Sequence, residues 1–273
     1  MFGVINVLYN DTDRDLHQDY RQLAKHFNQS GLEYRTFVID NSLSERRSLI
    51  PDGIGILAYS HFPENLGYAR ACNLLMAQAF EAGCDAVLTT NVDGFPLPGC
   101  VPNMLATLDR NERNALVEAR QFPQEHPRSY EPETGVTDWV SGCCLLIGRR
   151  TYEKLGPLDE GMFLYCEDVD YSFRARLAGI QCVVSTDAHF YHRGPGTPFD
   201  RHRRRHHLMS SRYLAVKWRN PEAQRIMEDA LVMEGFFGSF ADLPPMRPDM
   251  RTYSGIHWNP NDRATFAPRR WHA

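Results

Sequence analysis

The sequence has no run of about twenty apolar residues, the length that a membrane-spanning helix requires, anywhere in its 273 positions. Its first residues, MFGVINVLYND, carry neither a basic stretch nor a small-residue cleavage site, so no signal peptide is read there. Basic charge is not in excess: 30 Lys and Arg stand against 34 Asp and Glu. The net charge of −4 argues against general affinity for nucleic acid. Seven cysteines, an odd number with Cys143 and Cys144 adjacent, match neither a zinc-ligand spacing nor a disulfide framework. They are expected to be reduced and packed in the core. A Gly-rich phosphate loop of the G-x-G or Walker type is missing, as are internal repeats and low-complexity tracts. What is present is ordinary for a globular protein, 42% hydrophobic and 23% charged. The length suits one large domain, or one domain with an appendage.

The densest chemistry lies in residues 161–179, GMFLYCEDVDYSFRARLAG. Val169, Phe173 and Leu177 fall at i, i+4 and i+8, which predicts one apolar helix face. Glu167, Asp168 and Asp170 then occupy the first helical turn, where the helix dipole favours negative charge. Helix-start acids alone would account for that placement. They account less well for three carboxylates following directly on Phe163, Leu164 and Tyr165, which read as buried. Carboxylates against apolar walls are where a general base or a metal site is built.

The first half alternates two periods. Short β-rich runs at 4–8, 34–39, 54–59 and 86–90 are separated by helical patterns. Leu16, Tyr20, Leu23 and Phe27 mark the first helix, and Ala69, Cys72, Met76 and Ala79/Phe80 the second, over 66–82, closed by Gly83. This alternation predicts an α/β fold with a parallel sheet covered by helices on both faces. Ligands of such sheets bind beyond the carboxyl ends of the strands. Tyr9-Asn10, Asp40-Asn41 and Asn91-Val92-Asp93 all follow strand ends, which suggests a nucleotide-sized site on one rim.

The second half reads differently. Asp138–Ile147 looks like a buried strand with a glycine that permits close approach, and 181–185 like another. His189–Gly196 reads as a loop with Gly and Pro beside His and Arg. Arg201–His207, RHRRRHH, is a basic run suited to solvent, to phosphates or to an anionic surface. Residues 212–218 suggest an amphipathic helix, and 221–237 a further helix with Pro221 at its first position. Beyond Asp242 the chain is Pro-rich (Pro244, Pro245, Pro248, Pro260, Pro268) and expected to be extended.

In this order the chain resembles the family 2 glycosyltransferases of GT-A fold, and within them the rhamnosyltransferase-like branch. The resemblance is carried by VINVLYN, FVIDNS at 37–42, NLGYARACN at 65–73 and TTNVDG at 89–94. It continues in WVSGCCLLIGRRTYEKLGPLDEGMFLYCEDVDYSFRARLAG at 139–179 and HFYHRG at 189–194. It covers roughly residues 3–218. It implies a Rossmann-like, mixed and mostly parallel sheet over 1–218, with a C-terminal helix and Pro-rich tail over 219–273 packed on the body or at an interface.

The resemblance also assigns roles. Asp168 matches the catalytic base that takes the proton of an acceptor hydroxyl, a contribution of roughly 10²–10⁴ in rate. Asp93 and His192 match metal ligands for Mn²⁺ or Mg²⁺ against the donor diphosphate. Asn91 holds a position where many relatives carry Asp, so contact with the metal or with the ribose is left open. Asp40 matches the acceptor for the N3–H of a pyrimidine in a UDP- or dTDP-sugar, with Tyr9 and Asn10 flanking the base. Arg70 is either a helix-surface cation or a contact to base or phosphate. Trp139, Ser141, Gly142 and Glu167 match the sugar and acceptor side, although Trp139 equally suits core packing, and Asp170 suits a helix cap.

The activity implied is inverting, metal-dependent transfer from a UDP- or dTDP-sugar, dTDP-rhamnose among them, to a glycan, lipid-linked or small-molecule acceptor. A catalytically inactive nucleotide-sugar or glycan-binding component of a polysaccharide assembly system is the alternative. Cytoplasmic location follows as an expectation, with peripheral contact at the inner membrane face through the basic run or the C-terminal helices. No nucleic-acid partner is expected, and oligomerisation is left open.

Overall fold

Strand β1 (Phe2–Leu8) is buried along almost its whole length, the mark of a strand covered on both faces of a parallel sheet. It pairs in parallel with β2 (Tyr34–Asp40) on one side and with β4 (Ala86–Thr90) on the other, so that Val4 faces both Thr36 and Leu88. Strand β3 (Ile56–His61) adds in parallel beyond β2. The crossovers of this half carry α1 (Asp13–Gln29) and α2 (Tyr68–Glu81). The computed structural model describes all residues except 11–12, 52, 127, 194–199, 257 and 259–273.

The second half inserts α3 (Cys100–Arg110), α4 (Arg149–Leu155) and α5 (Glu167–Leu177) between β5 (Gly94–Pro96), β6 (Ala115–Phe122), β7 (Val136–Thr137), β8 (Cys144–Gly148) and β9 (Gln181–His192). The nine-stranded sheet runs β3-β2-β1-β4-β8-β6-β9-β5, with β7 paired to β9. Strand β8 is antiparallel to β4 and β6, β6 is parallel to β9, and β5 and β7 are antiparallel to β9. The fold is therefore a mixed α/β sheet whose first half is the parallel one that the alternation predicts.

Several boundaries differ from expectation; the helix expected over 221–237 ends at Met233, and four others differ for the physical reasons that follow. Strand β3 starts at Ile56 rather than Ile54, because Gly53 and Gly55 take left-handed φ values of +95° and +63° that no extended strand contains. Residues 139–143 are irregular rather than strand. Their backbone groups bond to side chains instead of a ladder: Glu118 and Asp168 accept from the amides of Ser141 and Gly142, and Thr89 donates to the Gly142 carbonyl. Strand β9 does not end at Ser185. A register shift against β6 between Ala119 and Arg120 lets it continue to His192, so residues 189–192 are strand, not loop. The Gly194–Gly196 part of that loop lies outside the described residues. Finally, RHRRRHH and 212–218 form one helix, α6 (Arg201–Lys217), started by an Asp200 carboxylate that accepts from the Arg203 amide at 2.8 Å.

Apolar side chains fill both sides of the sheet. One core joins α1 and α3 to the strands through residues such as Leu16, Phe27, Met104 and Val117, and the other joins α2, α4 and α5 through Leu75, Met76, Leu145 and Tyr171. Helix α5 contributes Val169 and Phe173, whereas Leu177 is 46% exposed and falls outside the core. Met162 is buried, but Phe163 is exposed and Leu164 and Tyr165 are half-buried, so the run before the acids is less enclosed than its composition suggests. All seven cysteines are free and buried. Burial pushes the thiols of Cys72, Cys84, Cys143, Cys144 and Cys182 above their ordinary range.

A third apolar cluster attaches α6 and the chain after α7 (Pro221–Met233) to α5 through Phe173, Trp218, Met250, Tyr253 and Trp258. At its centre is Asp170, which is an anchor rather than a helix cap. Fully buried, it accepts from Arg174 at 3.0 Å and from Trp218 Nε1 at 2.9 Å, and pairs with Lys217 at 2.8 Å. Lys217 also reaches Asp159 at 2.5 Å. Such buried charges persist only when fully paired. The tail lies along this cluster, with Arg212 donating to the Pro244 carbonyl and the Tyr253 amide to the Lys217 carbonyl. Pro260 and Pro268 lie outside the described residues. No helix among the described residues is long and apolar enough to cross a membrane.

Candidate functional site

The carboxyl ends of β1, β2 and β4 form the rim on which the polar clusters meet. Tyr9 is 47% exposed there, followed by Asn10 in a left-handed conformation at φ +47°. The Asn10 amide donates to Ser42 Oγ at 2.8 Å, and its side-chain oxygen accepts from the Leu43 amide at 3.3 Å. These bonds tie the β1 and β2 turns together. Asp40 is fully buried and already well supplied with donors. It accepts from the Ser42 amide at 2.9 Å, the Arg46 amide at 2.7 Å and the Tyr59 hydroxyl at 2.6 Å. A carboxylate has about four lone-pair directions, so a base N–H would be its fourth partner. Arg70 is exposed on the first turn of α2.

Asn91 and Asp93 leave the end of β4 toward β9. The Asn91 amide donates to the Cys143 carbonyl at 2.8 Å. Three residues on, β5 pairs antiparallel with β9 in a register that sets Gly94 opposite His192. That pairing requires glycine: an added Cβ would stand 2.4 Å from the Tyr191 carbonyl oxygen and 2.5 Å from the Phe190 ring. Asp93 is thereby delivered beside His192, with Oδ1 3.3 Å from Nε2. The Asn91 side-chain nitrogen Nδ2 is also 3.3 Å from Nε2. Burial works against the Asp93 charge, but the hydrogen bond and charge of His192, with Arg193 behind, outweigh it and hold the carboxyl below its usual range. Arg193 itself is paired with Asp19 of α1.

The other ring nitrogen of His192 is 2.8 Å from Gln121 Oε1, and Gln121 Nε2 in turn donates to Glu118 at 3.0 Å. In the neutral ring this places the proton on Nδ1 and leaves the Nε2 lone pair facing Asp93. At 3.3 Å the Asp93 carboxylate oxygen and the Nε2 lone pair are two electron-rich atoms that a proton or a metal cation would bring into attraction. One carboxylate oxygen and one imidazole nitrogen fit Mn²⁺ or Mg²⁺ completed by substrate oxygens. No group of three or more His, Cys, Asp or Glu side chains able to hold a metal occurs among the described residues.

Asp168 is brought to the same rim from α5. Tyr165 and Cys166, both in left-handed φ at +71° and +70°, turn the chain sharply into the helix. Non-glycine residues in that region carry backbone strain, which clusters at functional sites. Asp168 is half-buried and accepts from its neighbour amide Val169 at 2.8 Å and from the Gly142 amide at 3.0 Å. Because Cys143, one residue on, holds Asn91, a single short loop connects Asp168 to the β4 end. Glu167 points into the protein, 5% exposed. Burial, and then the Asp168 charge, raise its carboxyl well above the ordinary range. Its Oε2 has no hydrogen-bond partner among the described residues.

Ser141 is buried, and Trp139 is half-buried with its ring under the Arg128 guanidinium at 4.8 Å and beside His126 at 5.5 Å. Burial, then Arg128 and His192, lower the His126 imidazole to about 3, so it is neutral at physiological pH. His126, Arg128, Glu118 and Gln121 are site residues that the sequence reading passes over. A glutamate inside the apolar strand ALVEARQF was the available signal. The basic run approaches from the far side. His206 stacks on Phe163 at 4.8 Å, and Arg201 and Arg205 lie over Phe236 and Phe237 at 4.5 and 5.4 Å. Tyr165, which precedes the acids of α5, meets His207 of this face edge-on at 5.8 Å, and burial raises its phenol above the ordinary range.

Residues 20–173 match the family model described as glycosyl transferase family 2. The chain is 29% identical to the N-acetylglucosaminyl-diphospho-decaprenol L-rhamnosyltransferase of Mycobacterium tuberculosis (strain CDC 1551 / Oshkosh), over 58% of this chain and 67% of that protein. Among solved structures it is similar to GalNAc-T7 with UDP, GalNAc and Mn²⁺, with a TM-score of 0.62 and 12% identity over 88% of this chain, spanning 55% of the other. It is also similar to the mannosyltransferase PcManGT from Pyrobaculum calidifontis in complex with GDP-Man and Mn²⁺. There the TM-score is 0.58 and the identity 15%, over 87% of this chain and 76% of that one.

Proposed function

The chain belongs to glycosyl transferase family 2, and from that premise we propose that it moves a sugar from a nucleoside diphosphate donor to an acceptor hydroxyl with inversion at the anomeric carbon. The observation that carries this reading is the meeting of Asp93 with His192 at 3.3 Å on a rim to which the Gly142 amide also ties Asp168. Asp168 takes the proton of the acceptor hydroxyl as that oxygen attacks, and its two accepted amide bonds keep it aimed. Asp93 and His192 hold a divalent cation. Bound there, Mn²⁺ or Mg²⁺ supplies positive charge against the departing nucleoside diphosphate.

Tyr9, Asn10 and Asp40 receive the base, Asn91 the ribose or phosphate side, and Arg70 a phosphate or the base. Trp139, Ser141 and Gly142 line the sugar and acceptor. The name of the mycobacterial relative favours rhamnose, carried as dTDP-rhamnose, and a lipid-linked acceptor; a UDP-sugar, and a glycan or small-molecule acceptor, are the other arms. A lipid-linked acceptor would bring the protein to a membrane surface, for which the α6 face is the suited side.

The test is a donor screen scored by release of free nucleoside diphosphate, run with and without Mn²⁺. Release and thermal stabilisation with a dTDP- or UDP-sugar, dependent on the metal, is the expected result. If no nucleotide sugar is turned over and none shifts the melting transition, the reading is wrong.

A further inference from the structure

We propose that Glu118 is a positioning residue that sets both working ends of the site at once, His192 through Gln121 and Asp168 through the 141–142 peptide. This rests on the function proposed above. Glu118 lies in β6 and is fully buried. One of its oxygens accepts from Gln121 Nε2 at 3.0 Å. The other accepts from the Ser141 amide at 2.6 Å and from Arg128. Every partner is a donor, so the cradle fits the carboxylate form, although burial pushes the group upward in pKa against the pull of Arg128.

Each arm then reaches a different functional side chain. Gln121 is oriented by Glu118, because its NH₂ must face the carboxylate, and its oxygen therefore faces His192 Nδ1 at 2.8 Å. That bond fixes the ring plane and puts the proton on Nδ1, so Nε2 is the nitrogen offered to Asp93. On the other arm, holding the Ser141 amide fixes the following peptide, whose Gly142 N–H donates to Asp168 at 3.0 Å. The Gly142 carbonyl is held at the same time by Thr89 Oγ1 at 2.7 Å and Tyr68 at 3.2 Å. A structural ion pair with Arg128 would need none of this geometry. Outer partners of a ligating histidine and of a catalytic acid typically change affinity or rate by about 10–100-fold when removed.

Glu118→Gln keeps the shape but offers one acceptor oxygen to donors from three residues, so at least one arm is lost. Gln121→Leu removes the His192 arm alone. In the wild-type protein without metal, ¹⁵N-detected imidazole signals of His192 at a pH where the ring is neutral are expected to show the Nδ1–H form. Both variants are expected to mix the two tautomers. With donor and Mn²⁺, Glu118→Gln is expected to lose about 10–100-fold in kcat with the donor KM within about twofold, and Gln121→Leu to lose less. His192 signals identical to wild type in Gln121→Leu, or full kcat in a folded Glu118→Gln protein, would overturn the proposal. If Glu118→Gln does not fold, Gln121→Leu decides the His192 arm by itself. If the wild-type protein turns over no donor yet the tautomer shift is seen, the positioning role stands and the transfer reading falls.

Discussion

Gly94→Ala isolates the device that joins Asp93 to His192. The new Cβ would stand 2.4 Å from the Tyr191 carbonyl oxygen and 2.5 and 2.6 Å from two Phe190 ring carbons. Carbon contacts settle near 3.5–4.0 Å, so β5 and β9 must part by about 1 Å. Two of the obstructing atoms belong to a fully buried ring and one to backbone, so neither can swing aside. Overpacking of this kind costs about 1–3 kcal/mol. In a chain of this size each kcal/mol lowers the melting midpoint by roughly 2–4 °C, which gives a fall of about 2–12 °C. The same displacement acts on the Asp93–His192 distance of 3.3 Å, because Gly94 is the register partner of His192. A misplacement of about 1 Å can cost on the order of 10²-fold in rate. Scanning calorimetry and donor turnover with Mn²⁺ measure both effects. A variant within about 1 °C of the wild-type midpoint and within about twofold of its turnover would refute the claim that this strand pair holds the two side chains together.

Three further outcomes are expected. Asp168→Asn should lower transfer by about 10²–10⁴-fold while leaving nucleotide binding measurable by calorimetry, and full turnover would remove Asp168 as the base. Glu167 has a raised carboxyl, so folding takes up a proton there; its stabilising effect is complete below the unfolded carboxyl's range and is lost as pH rises toward the folded value. Glu167→Gln lacks that dependence and should gain stability relative to wild type between about pH 4 and 7, at roughly 2–4 °C for each kcal/mol relieved; parallel melting curves across that range would contradict it. Exposed Met233 precedes Glu234, whose carbonyl accepts from Arg201 at the Arg-rich start of α6, and each Arg near an anionic bilayer contributes about 1 kcal/mol. Sedimentation with phosphatidylglycerol–phosphatidylcholine vesicles should therefore fall by about tenfold or more in Arg203→Glu/Arg205→Glu, and equal sedimentation would exclude this face as a membrane contact.

What the sequence made legible was whatever depends on near neighbours. The acids of α5 fall in its first turn because Val169 and Phe173 set the period, and the parallel half follows from alternating β and helical runs. The 138–147 strand failed because its first residues satisfy their amides through Glu118 and Asp168, more than twenty positions away. Strand β6 went unread because Glu118, Arg120 and Gln121 break its apolar pattern, and the partners outside the strand, Ser141, Arg128 and His192 among them, lie far along the chain. Helix α6 has no apolar period in RHRRRHH; it is nucleated by the Asp200 cap and held by Lys217 and Trp218 at its far end. Asp40 lies on the rim; its bonds to the Ser42 and Arg46 amides are local, and the one from the Tyr59 hydroxyl is the long-range contact.

The buried thiols have a consequence for handling and for measurement. With all seven enclosed, the native molecule presents no ready target to alkylating or disulfide-exchange reagents, whose attack needs an accessible thiolate. Uptake of such a reagent would therefore follow transient opening of the interior, and its rate in mild conditions would serve as a clock for how often that interior is laid open.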